Sequence, residues 1–318
     1  MELSVCPQPL YARGLPGALD AVVALGVRAL ELPVDGKSPL VNLDELLAGG
    51  HRRLLAELRA RDLALSCLSN HQEGQLLLGP HHADTDPVHA GTPAEKSRWA
   101  RGRLLDTARL AAELEVPVVV GFLGCEDWSR FFPWPDPLGW EKASQQFVSA
   151  AMPLLEEFDR LGVSFAQEPH PKQHVYDTET ALQSVQLLSG HRRWGFNLDT
   201  GNLVLVGADP VGFAAELGAR VLHVHAKDAE LPPHAARRSS RLAHGAWNRP
   251  GRGFRFRVPG WGEVPWRSFL SELSLAGYDG FVAIEHEDPV FGPLEGLQRG
   301  VEHLLPLLPR EPRAERWW

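Results

Sequence analysis

Eight short apolar runs, each followed by a helical stretch, recur along this 318-residue chain. The runs are LSVC (3–6), VRALELP (27–33), LALSCLS (63–69), VPVVVGFLG (116–124), VSFAQE (163–168), WGFNLD (194–199), RVLHVHAKD (220–228) and GFVAIEHED (280–288). They are nearly continuous in apolar character rather than alternating. A strand reads this way when both faces are covered, as in a parallel sheet flanked by helices. The intervening segments 16–26, 43–62, 93–115, 140–162, 177–190, 209–218, 265–277 and 292–308 read as helices. Thr92, with Pro93 and Glu95 behind it, forms a helix start, and Gly162 a helix stop. Strict alternation of eight strands and eight helices predicts one α/β domain over residues 1–318, a (β/α)8 barrel. A doubly wound open sheet is the alternative. It needs a glycine-rich phosphate loop after the first strand, and LSVCPQPLYARG has none.

Three connections are long: 70–92, 122–139 and 229–264. All follow strands, so in a barrel they stand on the C-terminal face, where active sites are built.

Composition narrows the function classes. The formal charge of −8 disfavours a general nucleic-acid surface, which needs a basic field. No apolar run approaches the roughly 20 residues that span a bilayer. The N-terminal MELSVCPQPLYARG lacks the basic and apolar regions of a secretory leader. Cys6, Cys67 and Cys125 are odd in number and lie in or beside strand runs, which predicts buried free thiols and a cytoplasmic protein.

Polar residues close four consecutive strand runs. Glu168 ends the fifth, Asp199 the sixth, His225 the seventh and Glu285 the eighth. Adjacent parallel strands lie about 4.8 Å apart, so these side chains can converge on one ion. Taken singly, each is an ordinary strand-end residue, helix cap or core histidine. Taken together, they form an oxygen-rich donor set suited to Mn2+, Mg2+ or Co2+, with Fe2+ or Zn2+ as alternatives.

The motifs EPHP, NLDTGN, HVHAKD and IEHED, in this order and spacing, resemble those of the xylose isomerase-like TIM-barrel superfamily. This is the sugar phosphate isomerase/epimerase group, which also holds ketose 3-epimerases, inosose-processing enzymes and endonuclease IV. The stretches SNHQEGQLLLGP, GTPAEK and PGWGEVPW resemble one subgroup of it, and the likeness runs along the whole chain. The resemblance implies one divalent metal per chain, Mn2+ foremost, held by Glu168, Asp199, His225 and Glu285. It implies that Glu168 and Glu285 also exchange a proton with the substrate carbon. Many members carry a substrate-binding histidine three residues after the metal aspartate. Here that place holds Asn202, which hydrogen-bonds but does not titrate near neutrality.

Further candidates for substrate contact are His71, His170 and Lys227. For His71 a structural role is equally open; for Lys227 the alternative is a simple pair with Asp228. His223, one pleat below His225, reads as a core histidine. Trp128, Phe131, Phe132, Trp134 and Trp140 offer a sugar-stacking platform, a packed lid or a subunit contact. Seven arginines between Arg237 and Arg257 suggest a phosphate clamp, a nucleic-acid contact or a solvated loop.

The leading expectation is a metal-dependent isomerase or epimerase of a sugar, keto-sugar or cyclitol, acting by proton transfer next to a carbonyl. A lyase, dehydratase or deglycosidase on a 3-keto sugar or inosose uses the same first step. An endonuclease IV-like phosphodiesterase needs more metal ligands, and strands one, two and four offer no clear one. A non-catalytic barrel would be expected to have lost its ligands. The expected partner is a small carbohydrate, with no nucleic acid or membrane, and a homodimer is compatible with the sequence.

Overall fold

A computed structural model describes residues 1–130, 137–309 and 311. Eight parallel strands close a barrel: β1 (Glu2–Val5), β2 (Ala29–Pro33), β3 (Ala64–Asn70), β4 (Val118–Gly121), β5 (Ser164–Gln167), β6 (Trp194–Asp199), β7 (Val221–Ala226) and, last in the chain, β10 (Phe281–Ile284). β10 hydrogen-bonds to β7 on one side and β1 on the other, which completes the ring. The two remaining strands, β8 (Asp228–Glu230) and β9 (Arg255–Arg257), pair antiparallel inside the long connection after β7. The expected (β/α)8 architecture is what forms. The β8–β9 pair is an addition that three-residue strands do not announce in sequence.

The outer layer has eight principal helices: α1 (Gly14–Ala24), α2 (His51–Arg59), α3 (Pro93–Glu113), α4 (Pro137–Arg160), α5 (Thr178–Leu187), α6 (Pro210–Leu217), α7 (Trp266–Leu275) and α8 (Pro293–Leu304). α3 starts as predicted. The Thr92 side chain accepts from Glu95 N, and the Glu95 carboxylate accepts from Thr92 N. Such a cap stabilises a helix by roughly 1 kcal/mol. α3 then buries Ala100, Leu104, Ala108 and Ala111 along one face, against β3 and β4. The predicted helix over 43–62 is broken. Gly49 adopts φ +109°, a π-turn spans Leu46–Gly50, and the regular helix begins only at His51. Two adjacent glycines at 49 and 50 allow that kink, because Gly49 has no Cβ to oppose a positive φ.

Strand parity separates two interiors. Val5, Leu30, Leu68, Val119, Phe165, Phe196, Val224 and Ile284 join the main apolar core between sheet and helices. Their neighbours turn into the barrel. There a small apolar cluster of Cys67, Val120 and Ala166 lies beside buried polar residues: Ser4, Glu31, Asn197, Asp199, His223 and His225. All three cysteines are buried free thiols.

Candidate metal centre

The register carries Asp199 and His225 into one layer. Asp199 pairs with His225 across β6 and β7, one pleat above Asn197 and His223. Glu168 and Glu285 are the first residues beyond β5 and β10. Each of these carboxylates places Oε2 3.2 Å from His225 Nδ1. Ligand atoms of Glu168, Asp199 and His225 all lie within 4.8 Å of one another. The four strand-end residues singled out in the sequence thus meet at one point on the C-terminal rim.

Lys227 occupies the other side of the cluster. Its Nζ lies 2.8 Å from Asp199 Oδ2, 2.9 Å from Glu285 Oε2 and 3.2 Å from Glu287 Oε2. The ammonium also stands 4.6 Å over the Phe256 ring from β9. It does not pair with Asp228, which instead accepts from Gly260 N, Val264 N and Trp266 Nε1. Gly201 has a local reason: a Cβ there would meet Lys227 Cγ at 2.9 Å. Asn202 is buried and donates through Nδ2 to Glu168 Oε1 (2.8 Å) and Asp199 Oδ2 (2.9 Å). It therefore ties two acids together, and its Oδ1 has no partner among the described residues. His71 Nε2 lies 3.0 Å from Glu168 Oε2, with its ring edge-on to Phe122. His170 engages the Pro171 carbonyl through Nδ1 and tilts against the Phe122 ring, 4.9 Å between centroids.

Burial alone would raise the carboxyl of Glu168, but His71 and His225 outweigh it and hold that group well below the usual carboxylate range. Glu285 is likewise opposed by burial and carried down to about 2 by Lys227 and His225. Asp199 goes the other way. Burial, with the like charges of Glu285 and Glu168, pushes it up against the pull of Lys227. Burial disfavours the Lys227 ammonium, yet Asp199, Glu285 and Glu287 keep it charged.

This donor set fits a divalent cation. Three carboxylates crowd one point, and one of them, Asp199, is held up by burial together with the others' charge. The buried Nδ1 of His225 faces two carboxylate oxygens without the geometry of a hydrogen bond. With Nε2–H held by Glu31, an ion would take the place of a proton on Nδ1 and offset the same acids.

The description "Xylose isomerase-like TIM barrel" matches residues 19–307. The chain belongs to that family. Among relatives of this xylose isomerase-like protein, the uncharacterized protein YfiH of Bacillus subtilis is 27% identical over 96% of this chain and 98% of its own length. The inosose dehydratase of Lacticaseibacillus casei is 33% identical over 29% of this chain and 30% of its own. A crystal structure of IolI protein with a bound zinc atom superposes with a TM-score of 0.67 at 17% identity, covering 97% of this chain and 98% of that one.

Two residues of this xylose isomerase-like barrel escaped the sequence reading. Glu31, fully buried on β2, accepts from His225 Nε2 at 2.7 Å. Asn197 donates to Glu168 Oε2 at 2.9 Å. Strands one and two, where the sequence offered no clear ligand, carry donor atoms in the interior: Glu31, and Cys6 just past β1, lie with His225. The signal was a lone acid inside an apolar run, VRALELP, and an amide inside another, WGFNLD.

Four of the seven arginines of the 229–264 connection are engaged elsewhere. Arg257 pairs with Asp288 and Glu230, while Arg241, Arg252 and Arg255 donate to the carbonyls of Val204, Gly245 and Pro250. Trp128 donates to Gln173 O, and Trp140 stacks on His174, 4.7 Å between centroids. Phe131, Phe132 and Trp134 lie outside the described residues. No described helix is long and apolar enough to cross a membrane.

Proposed function

We propose that this protein is a divalent-metal-dependent enzyme that moves a proton at the carbon next to a carbonyl of a sugar, keto-sugar or cyclitol, as an isomerase or epimerase. The observation that carries this reading is the convergence of Glu168 and Glu285 on one nitrogen of His225. These acids come from strands separated in the barrel by β6 and β7, so they flank the centre from two sides. Glu168, Asp199, His225 and Glu285 would hold the ion, with Mn2+ favoured by the oxygen-rich set. A bound divalent ion supplies the positive charge that stabilises an enediolate oxygen.

The chain's own residues supply the rest. Glu168 and Glu285, held ionised, are bases for the two faces of the substrate carbon. His71, on Glu168 Oε2, steadies that carboxylate and can accept the proton it takes from the substrate carbon. Asn202 and Asn197 fix the orientation of Glu168. The Lys227 ammonium, freed from Asp199 and Glu285 when those bind an ion, remains near Glu287 and can donate to a substrate oxygen. His170 completes the wall beside Phe122. A small carbohydrate is the substrate class, and the protein acts in the cytoplasm.

Dehydration of an inosose or 3-keto sugar is the second reading, favoured by the partial likeness to inosose dehydratase. It uses the same base, with Lys227 as acid for the departing hydroxyl. One experiment separates the two. Ketoses and inososes are incubated with Mn2+-loaded protein in deuterated water and followed by NMR. Deuterium at the carbon beside the carbonyl with inverted configuration supports the epimerase. An unsaturated ketone supports the dehydratase. No exchange with any member of the panel overturns both.

A further inference from the structure

Directly beneath His225 lies a second donor cluster that the proposed chemistry does not use. Glu31 Oε2 is 3.3 Å from Cys67 Sγ, 3.4 Å from His223 Nε2 and 3.8 Å from Cys6 Sγ. Ligand atoms of Glu31, Cys67 and His223 all fall within 4.8 Å of one another. These four residues come from β2, β3, β7 and the end of β1, and none is more than 1% exposed.

Hydrogen bonding alone leaves this cluster unfinished. Oε2 of Glu31 serves His225, but Oε1 has no partner among the described residues. His223 Nε2 also lacks a hydrogen bond of acceptable geometry, although it is wholly buried. Two unsatisfied polar atoms facing one carboxylate and two thiols in a closed interior are costly to leave unpaired.

Tetrahedral coordination accounts for the composition and for the spacings about Glu31 Oε2, the atom that links Cys67 and His223 to Cys6, whose Sγ also groups with His225. With metal–sulfur bonds of about 2.3 Å and metal–nitrogen or –oxygen bonds of about 2.0–2.1 Å, neighbouring ligand atoms stand about 3.3–3.8 Å apart. The three separations from Glu31 Oε2 fall in that range. Two sulfurs, one imidazole and one carboxylate select a borderline-soft ion and disfavour Mg2+ or Mn2+.

We propose that Cys6, Glu31, Cys67 and His223 form a second, closed site for a zinc-class divalent cation inside the barrel. Four protein ligands and no open position make it a structural site. On binding, the two thiols lose their protons to solvent and coordinate as thiolates. The ion would fasten β1, β2, β3 and β7 together and fix the carboxylate that orients His225.

The test uses zinc as the probe and the full-length protein. X-ray absorption of the zinc-loaded wild type should show a sulfur shell at about 2.3 Å. The Glu168→Ala/Asp199→Ala variant, which removes the upper centre, should keep that shell and about one zinc per chain. Cys67→Ala should lose one equivalent of zinc and diminish the shell, whereas Cys125→Ser should change neither. Only nitrogen and oxygen scatterers in the wild type would overturn the site, and this arm needs no variant to fold. A sulfur shell that survives Cys67→Ala intact would overturn it as well. Failure of the upper centre would appear separately, as one zinc per chain in both the wild type and the double variant.

Discussion

Asn202 Nδ2 donates to Glu168 and to Asp199, so one buried amide bridges two of the four acids and imidazoles at the rim. Such a bridge would orient both carboxylates of the proposed centre. Asn202→Ala is expected to weaken Mn2+ binding about 10- to 100-fold while the fold is kept, as loss of an outer hydrogen-bond partner does. Calorimetric titration with Mn2+ checks it. Unchanged affinity would show that the bridge does not shape the centre.

Glu285→Gln removes one of the two proposed bases and one ligand. Turnover in the deuterium-exchange assay should fall by about 10²–10⁴-fold, the usual worth of a positioned base. Metal content of the variant, read beside the rate, separates the two losses. A variant retaining both rate and metal would remove Glu285 from the reaction.

Lys227→Met leaves Asp199 and Glu285 buried without their cation. Breaking a buried pair from one side costs about 3–5 kcal/mol. Urea denaturation of chelator-treated protein should show a loss of that order. Added Mn2+ should restore much of it, since the ion supplies the missing charge. An equal loss with and without Mn2+ would contradict that exchange.

His174 lies between Trp140 and Phe147, at 4.7 and 4.5 Å between ring centroids. Burial lowers its imidazole from 6.5 to about 4. The folded protein therefore holds it neutral where the unfolded chain is already protonated. Stability should be unaffected by this group above about pH 6.5 and fall as pH drops towards 4, with no further loss below. At about 1.36 kcal/mol per pH unit, the full loss is about 3 kcal/mol. His174→Phe should flatten the difference in urea midpoint between pH 7 and pH 4.5. A difference as large as that of the wild type would place the pH dependence elsewhere.

Much of the barrel is legible in the sequence, because runs such as VPVVVGFLG signal strands covered on both faces. The rim acids are legible for a related reason: Glu168, Asp199 and Glu285 interrupt apolar character at strand ends. The floor of the barrel is not. Glu31, Asn197 and Cys67 sit within runs whose bulk is apolar, and single-residue parity decides whether each faces the helices or the interior. That parity depends on register, and β2 against β3 slips between Leu30 and Glu31, as β6 against β7 slips between Phe196 and Asn197. A one-residue slip is set by packing around the closed ring and leaves no trace in composition. The kink at Gly49 was hidden similarly, since leucines on both sides continue the helical spacing.

The excursion after β7 is cinched at its neck. β8 pairs with β9, and Asp228 gathers the amides of Gly260 and Val264 with the Trp266 indole. Residues 231–254 loop out from that fastening and return to the helical layer where Arg241 donates to Val204 O and Phe254 packs with Leu205. The fastening itself reaches the rim through Phe256 of β9, whose ring lies against the Lys227 ammonium. Changing what presses on that ring would retune the reaction from outside the barrel, leaving every rim ligand as it was.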